Sequence, residues 1–231
     1  MKRFHRHDKS PGFTLIEVLV AIGVMALMSL MAWRGIDGML RTQTGLQTRA
    51  DDIRTLQAGL AQWQTDLDQS LELTGTPGWN WNGKVLRLTR RTSAQTEAVH
   101  VVAWTWRNDV ARAGGGEWQR WQSAPLTQRS DWQTAWQLAE QWGQTPDPQT
   151  RAGQVSIHPL AGWKIFVHRG GNWTHPLSSD VVTAGTAAAT PPAEGSLPDG
   201  VRLVLNLPPG PGGAGQITLD WVRPTLSGGA S

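Results

Sequence analysis

The chain has 231 residues, 21 Lys and Arg against 18 Asp and Glu, and no cysteine. The length suits one modest domain plus an anchor, and with no disulfide available that domain must hold together through its core alone. The formal charge of +3 is local: Lys2, Arg3, Arg6 and Lys9 precede Gly12 with Asp8 as the one acid, and from Phe13 onward 17 basic residues meet 17 acidic ones, which excludes a general field for nucleic acid.

In chain order, a basic leader of residues 1–12 comes first. From Phe13 to Trp33 there are 21 residues, and Glu17 is the only charged one. A helix of that length spans about 31 Å, against roughly 30 Å for the hydrocarbon core of a bilayer. The basic flank predicts a cytoplasmic N-terminus with the rest of the chain carried across. An ordinary signal peptide has a shorter apolar core, with its small-residue cut after it. Here the apolar run is longer and the small residue, Gly12, stands before it. A cut between Gly12 and Phe13 would remove the basic leader and leave the apolar segment on the product. Glu17 then needs a reason, because a carboxylate near the membrane interior costs a few kcal/mol and such acids are usually paired and functional.

Helical periodicity continues past the apolar run. Ile53, Leu56, Leu60, Trp63, Leu67 and Leu71 form one stripe, and Arg49, Asp51, Asp52, Arg54, Asp66 and Asp68 form a polar face expected to be solvated. The pattern predicts a helix from Phe13 to Leu73, with bending or melting near Gly35, Gly38 and Gly45. Thr74 to Gly78 should end it.

Beyond Gly78 the pattern turns strand-like. Val85 to Arg90 alternates, and so does Val99 to Arg107, with Val99, Val101, Ala103 and Thr105 facing away from His100, Val102, Trp104 and Trp106. A turn at Gly114-Gly115-Gly116 makes Ala98 to Gln122 a hairpin. Ser130 is the expected N-cap of a helix from Asp131 to Trp142, which presents Trp132, Trp136, Ala139 and Trp142 on one side and ends before Pro146 and Pro148. Further strands are expected at Gln154–His158, Trp163–Arg169, Val201–Leu207 and Gln216–Arg223. Loops are expected at Ser178–Pro198 and Pro208–Gly215, and a disordered tail at 226–231. No βαβ alternation occurs, so the fold class is α+β, an antiparallel sheet packed on the long helix. The implied divisions are 1–12, a membrane part 13–33, the rest of the helix 34–73, a β-rich head 74–225 and the tail.

Motifs for an enzyme fail one by one. Gly210 to Gly215 spells G-x-G-x-x-G but opens no helix. Asp66 and Asp68 diverge on a helix. His100, His158, His168 and His175 lack partners at metal-ligand spacing. Asn172-Trp173-Thr174 fits a glycosylation sequon, a surface-loop signal and not a catalytic one. The expectation is a protein that is not an enzyme, with no metal, cofactor or small-molecule substrate. The 14 Trp residues are expected to fill cores and interfaces, with a sugar-binding platform as the sharper alternative.

Ser10-Pro11-Gly12-Phe13-Thr14-Leu15-Ile16-Glu17 resembles the processing site of type IV pilins and type II secretion pseudopilins. The resemblance implies cleavage between Gly12 and Phe13 by a prepilin peptidase and N-methylation of Phe13. It also implies that Glu17 pairs with the freed amine, in its own chain or a neighbour, and sets register during assembly. Trp33 to Asp37, Gln62 to Leu67, Pro198 to Leu203 and Gly215 to Trp221 are similar to the J-class minor pseudopilins. That likeness implies a single-pass inner-membrane protein with a periplasmic head, meeting I- and K-class minor pseudopilins at the pseudopilus tip to support export of folded proteins. A minor pilin of a type IV pilus or DNA-uptake fibre shares the N-terminal reading, and a membrane-tethered sugar-binding or hydrolytic domain is the third possibility.

Overall fold

The computed structural model describes residues 12–92, 97–109, 115–145, 147–148, 150–169, 171–178, 195–209 and 214–224. The leader before Gly12, Gly114, Pro146, most of the Ser178–Pro198 loop, half of the Pro208–Gly215 loop and the 226–231 tail lie outside them. The chain divides into two compact units, 1–50 and 51–231. Its architecture is α+β and pilin-like: a long N-terminal helix, apolar in its first part, followed by an antiparallel β head.

Helix α1 runs unbroken from Leu15 to Asp68, through Gly35, Gly38 and Gly45, where the sequence predicts bending or melting. Every residue from Gly12 to Arg49 is exposed. From Leu56 onward one face is covered, with Leu56, Gly59, Trp63, Asp66 and Leu67 buried. Ile53, on the same stripe, stays 48% exposed.

The helix ends short of the expected Leu73 because sheet pairing captures the chain. The Leu71 amide donates to the Thr89 carbonyl (2.9 Å), and Arg91 N–H donates to the Gln69 carbonyl (2.9 Å). Ser70 meanwhile turns its hydroxyl onto the Leu67 carbonyl.

The described residues of the head form two sheets where one was expected. The first has the order β1 (Trp79–Trp81), β2 (Val85–Arg91), β3 (Val99–Asn108), β4 (Gly116–Gln122), β5 (Gln154–Leu160). The second has the order β7 (Asn172–Thr174), β6 (Gly162–Arg169), β8 (Gly200–Leu207), β9 (Gly215–Val222). All neighbours are antiparallel. The two short strands, β1 and β7, carry too few residues to show alternation, and β7 holds the Asn172-Trp173-Thr174 sequon.

The two faces of β3 divide as the alternation predicts. Val102 and Trp104 join Trp63 and Leu67 of α1, Leu86 and Leu88 of β2, Trp118 of β4 and Val201, Leu203 and Leu205 of β8 in the main core. Val101 and Ala103 face the other way, onto Trp132, Ala135, Ala139 and Trp142 of helix α2, which spans Arg129–Gln144. The N-cap of α2 is Gln128, with no side-chain cap bond, so the expected Ser130 cap is not formed. The helix is held by its apolar side, where Gly143 comes so close to Val85 that a Cβ would stand 1.8 Å from Cγ2.

Tryptophan is the filler. Trp63, Trp79, Trp104, Trp118, Trp121, Trp132, Trp142 and Trp221 are buried, while Trp81, Trp106, Trp136, Trp163 and Trp173 are half-buried. Trp63 lies edge-on to Trp104 (5.4 Å) and Trp163 (6.3 Å), and Trp104 lies against Trp118 (4.7 Å). Aromatic pairs in such geometry add about 0.5–1.5 kcal/mol beyond the area they bury. Outside the head, Trp33 is 70% exposed.

Candidate processing and assembly site

The residues singled out at the N-terminus fall within six consecutive positions, Gly12 to Glu17. Gly12, Phe13 and Thr14 precede the helix, and Glu17 sits in its first turn. Phe13 is 89% exposed, and nothing lies within 4 Å of where a Cβ on Gly12 would stand. Among the described residues, nothing covers the Gly12–Phe13 peptide.

Thr14 and Glu17 make a reciprocal cap. The Thr14 amide and hydroxyl each donate to Glu17 Oε2 at 2.9 Å, and the Glu17 amide lies 3.4 Å from Thr14 Oγ1. The Thr14 carbonyl accepts from Val18 N–H (3.3 Å) and Glu17 N–H (3.1 Å). A helix N-terminus leaves amides without partners, and a Ser/Thr-x-x-Glu box satisfies two of them reciprocally. The signal for this cap is the spacing Thr14-Leu15-Ile16-Glu17, which the membrane cost of Glu17 overshadows in the sequence. The carboxylate thus has partners in its own chain before any amine is freed, and it is fixed one residue from the Phe13 nitrogen.

On both sides of Glu17 the helix offers an apolar surface, with Leu15, Ile16, Leu19, Val20, Met25, Leu27, Met28 and Met31 all at least 60% exposed. It is long and apolar enough to cross a membrane once. The polar boundary begins at Arg34, and an Asp37–Arg41 pair (2.9 Å) comes next on the helix surface.

The largest correction concerns Asp66, expected in solvent. It is fully buried. Its Oδ1 accepts from Gln62 Nε2 (2.8 Å), Arg90 Nη1 (2.7 Å) and Arg120 Nη2 (2.9 Å), and its Oδ2 from Arg120 Nε (2.7 Å) and Trp104 Nε1 (2.9 Å). One carboxylate thereby ties α1 to β2, β3 and β4. Asp68 also has a partner, accepting from Trp221 Nε1 at 2.7 Å. Helical spacing places both acids off the apolar stripe. Only the arginines and indoles brought in by distant strands make these positions interior, and no local pattern in α1 carries that information.

The histidines are scattered. His100 Nδ1 lies 2.9 Å from the Ser123 carbonyl, His168 is edge-on to Trp173 (5.3 Å), and His175 Nδ1 accepts from the Leu177 amide (3.3 Å). Burial pushes the His158 imidazole below its ordinary pKa, opposed in part by Asp52. Among the described residues no group of three or more His, Asp or Glu is placed to hold a metal ion.

Residues 8–33 match the prokaryotic N-terminal methylation motif. The match takes in Gly12, Phe13, Glu17 and the apolar helix to Trp33. It supports a type IV pilin-like prepilin leader and, with the long helix and β head behind it, a place in the pilin superfamily.

Proposed function

We propose that this chain is a minor pseudopilin of type II secretion. In this reading a prepilin peptidase cuts it between Gly12 and Phe13. It then assembles with I- and K-class minor pseudopilins at the tip of the fibre that exports folded proteins, and it is not itself an enzyme. The observation that carries the reading is the methylation motif seated on a capped, fully exposed apolar helix. Cleavage turns the Phe13 nitrogen from a neutral amide into an amine beside a carboxylate already oriented by Thr14. In lipid that carboxylate is tolerable when paired. Leaving lipid for a fibre requires another apolar surround, the helices of neighbouring subunits. Glu17 then supplies the one charged mark along an otherwise uniform apolar rod, and so sets axial register.

Glu17→Gln separates register from capping, because a glutamine at this position still caps Thr14 but carries no charge. The expected result is a chain that stays in the membrane, loses co-purification with the other minor subunits and no longer supports secretion. Full secretion by this variant would defeat the register role. Retained secretion with loss of surface pili or DNA uptake would move the chain to a type IV pilus. Full activity of a head carried on an unrelated transmembrane helix would make the segment a mere tether.

A further inference from the structure

The four sheet edges of the head are not alike. Edge strands with unpaired backbone groups are open to pairing with other chains, and proteins blunt them by shortness, proline, bulges, charge or cover. Strands β1 and β7 have three residues each, and β1 is also covered where the Gly78 and Trp79 amides donate to the Gly195 carbonyl (3.0 and 3.1 Å). Strand β5 carries Pro159, and its ladder with β4 slips between Trp118 and Gln119.

Strand β9 has none of these devices. It runs eight residues, Gly215–Val222, in unbroken register against β8, with no proline and no lysine. Its single charge, Asp220, is neutralised from behind by a two-point bond with Arg202 (2.7 and 2.6 Å). The Arg223 amide donates to the Asp199 carbonyl. By antiparallel alternation, the backbone groups of Ile217, Leu219 and Trp221 therefore face β8, and those of Gln216, Thr218, Asp220 and Val222 point outward. Among the described residues nothing pairs with that outward edge.

We propose that β9 docks against β9 of a second copy of this chain, antiparallel and centred on Leu219, joining the β7-β6-β8-β9 sheets of the two copies into one. The strand is self-complementary about that residue. Leu219 meets Leu219 of the other copy, Trp221 meets Ile217, Thr218 meets Asp220, and Gln216 meets Val222. The outward N–H and C=O groups of Gln216, Thr218, Asp220 and Val222 then all pair with one another. Ile217, Leu219 and Trp221, which already pack on the main core, continue their apolar face across the junction. Centring one residue further along would set Asp220 opposite Asp220, a like-charge pair that destabilises a sheet. This pairing does not depend on the secretion reading.

The absence of native cysteine gives a clean test in the full chain, in detergent and in its membrane. Leu219→Cys places the thiols of two copies directly opposite in a non-hydrogen-bonded pair, within disulfide reach, and should give a homodimer on mild oxidation. The exposed variants Thr218→Cys and Asp220→Cys should each give little alone and a strong dimer when mixed. Thr218→Pro removes an outward N–H without touching the β8 ladder, and should shift the particle mass measured by light scattering from two chains to one. A monomeric parent chain, a dimer that Thr218→Pro leaves intact, or Leu219→Cys adducts formed only with a different protein would each overturn the proposal.

Discussion

The two parts of helix α1 teach opposite lessons from similar material. From Leu15 to Arg49 the helix exposes every side chain, Leu, Ile, Val, Met and Trp included. From Leu56 to Leu67 the same element buries aliphatic, aromatic and even charged groups. The first stretch has no apolar partner among the described residues, and burying each such side chain is worth about 1.5–3 kcal/mol; its length and composition are compatible with a single membrane crossing. The second finds its partners in its own strands. A carboxylate marks each stretch. Glu17 is satisfied locally by Thr14 three residues away, whereas Asp66 is satisfied by Arg90 and Arg120 from strands far along the chain.

Breaking the long-range carboxylate should have the largest effect. Asp66→Ala leaves two guanidiniums and an indole N–H facing an empty site, and removing one member of a buried ion network costs about 3–5 kcal/mol. A denaturant titration of the full chain in detergent should show that loss, while Glu17→Ala leaves the head transition in place. Trp63→Ala, which removes the side chain shared by Trp104, Trp118 and Trp163, should cost about 3–5 kcal/mol. Trp33→Ala should leave head unfolding unchanged, because Trp33 lies outside any core. A smaller change is expected at the N-terminal cap. Thr14→Val removes the hydroxyl, and hydrogen exchange at the Val18 amide in micelles should speed up by the equivalent of about 0.5–2 kcal/mol.

The smallest effect is a pH slope. Burial depresses the His158 imidazole below its ordinary 6.5, so between the two values the unfolded chain binds more protons than the folded one. Head stability should therefore rise with pH up to about 6.5 and level off above it. His158→Gln should flatten that part of the profile, and an unchanged slope would show that another group carries it.

Much of the fold is legible in local pattern. The apolar run, the alternation of β3 with Val101 and Ala103 opposite Val102 and Trp104, and the Trp stripe of α2 all rest on the periods of strand and helix. The strands beginning near Gln154, Trp163, Val201 and Gln216 stand close to their expected bounds for the same reason. The departures share another cause. The early end of α1, the split into two sheets and the burial of Asp66 are set by groups that meet across long stretches of chain: Leu71 with Thr89, Asp66 with Arg120, Trp221 with Asp68. At the candidate site, the methylation motif over residues 8–33 is legible because it is one continuous run of sequence. The capping box of Thr14 and Glu17 is equally local, but the charge of Glu17 in an apolar run is the louder of the two signals.

The central claim is that the chain is cut before Phe13 and that the new terminus meets Glu17. Intact-mass and N-terminal peptide analysis of the chain extracted from bacterial envelopes tests it most directly. The account predicts a first residue of N-methylated Phe13 with the basic leader gone. A chain that still begins at Met1, or that starts at any residue other than Phe13, would contradict it.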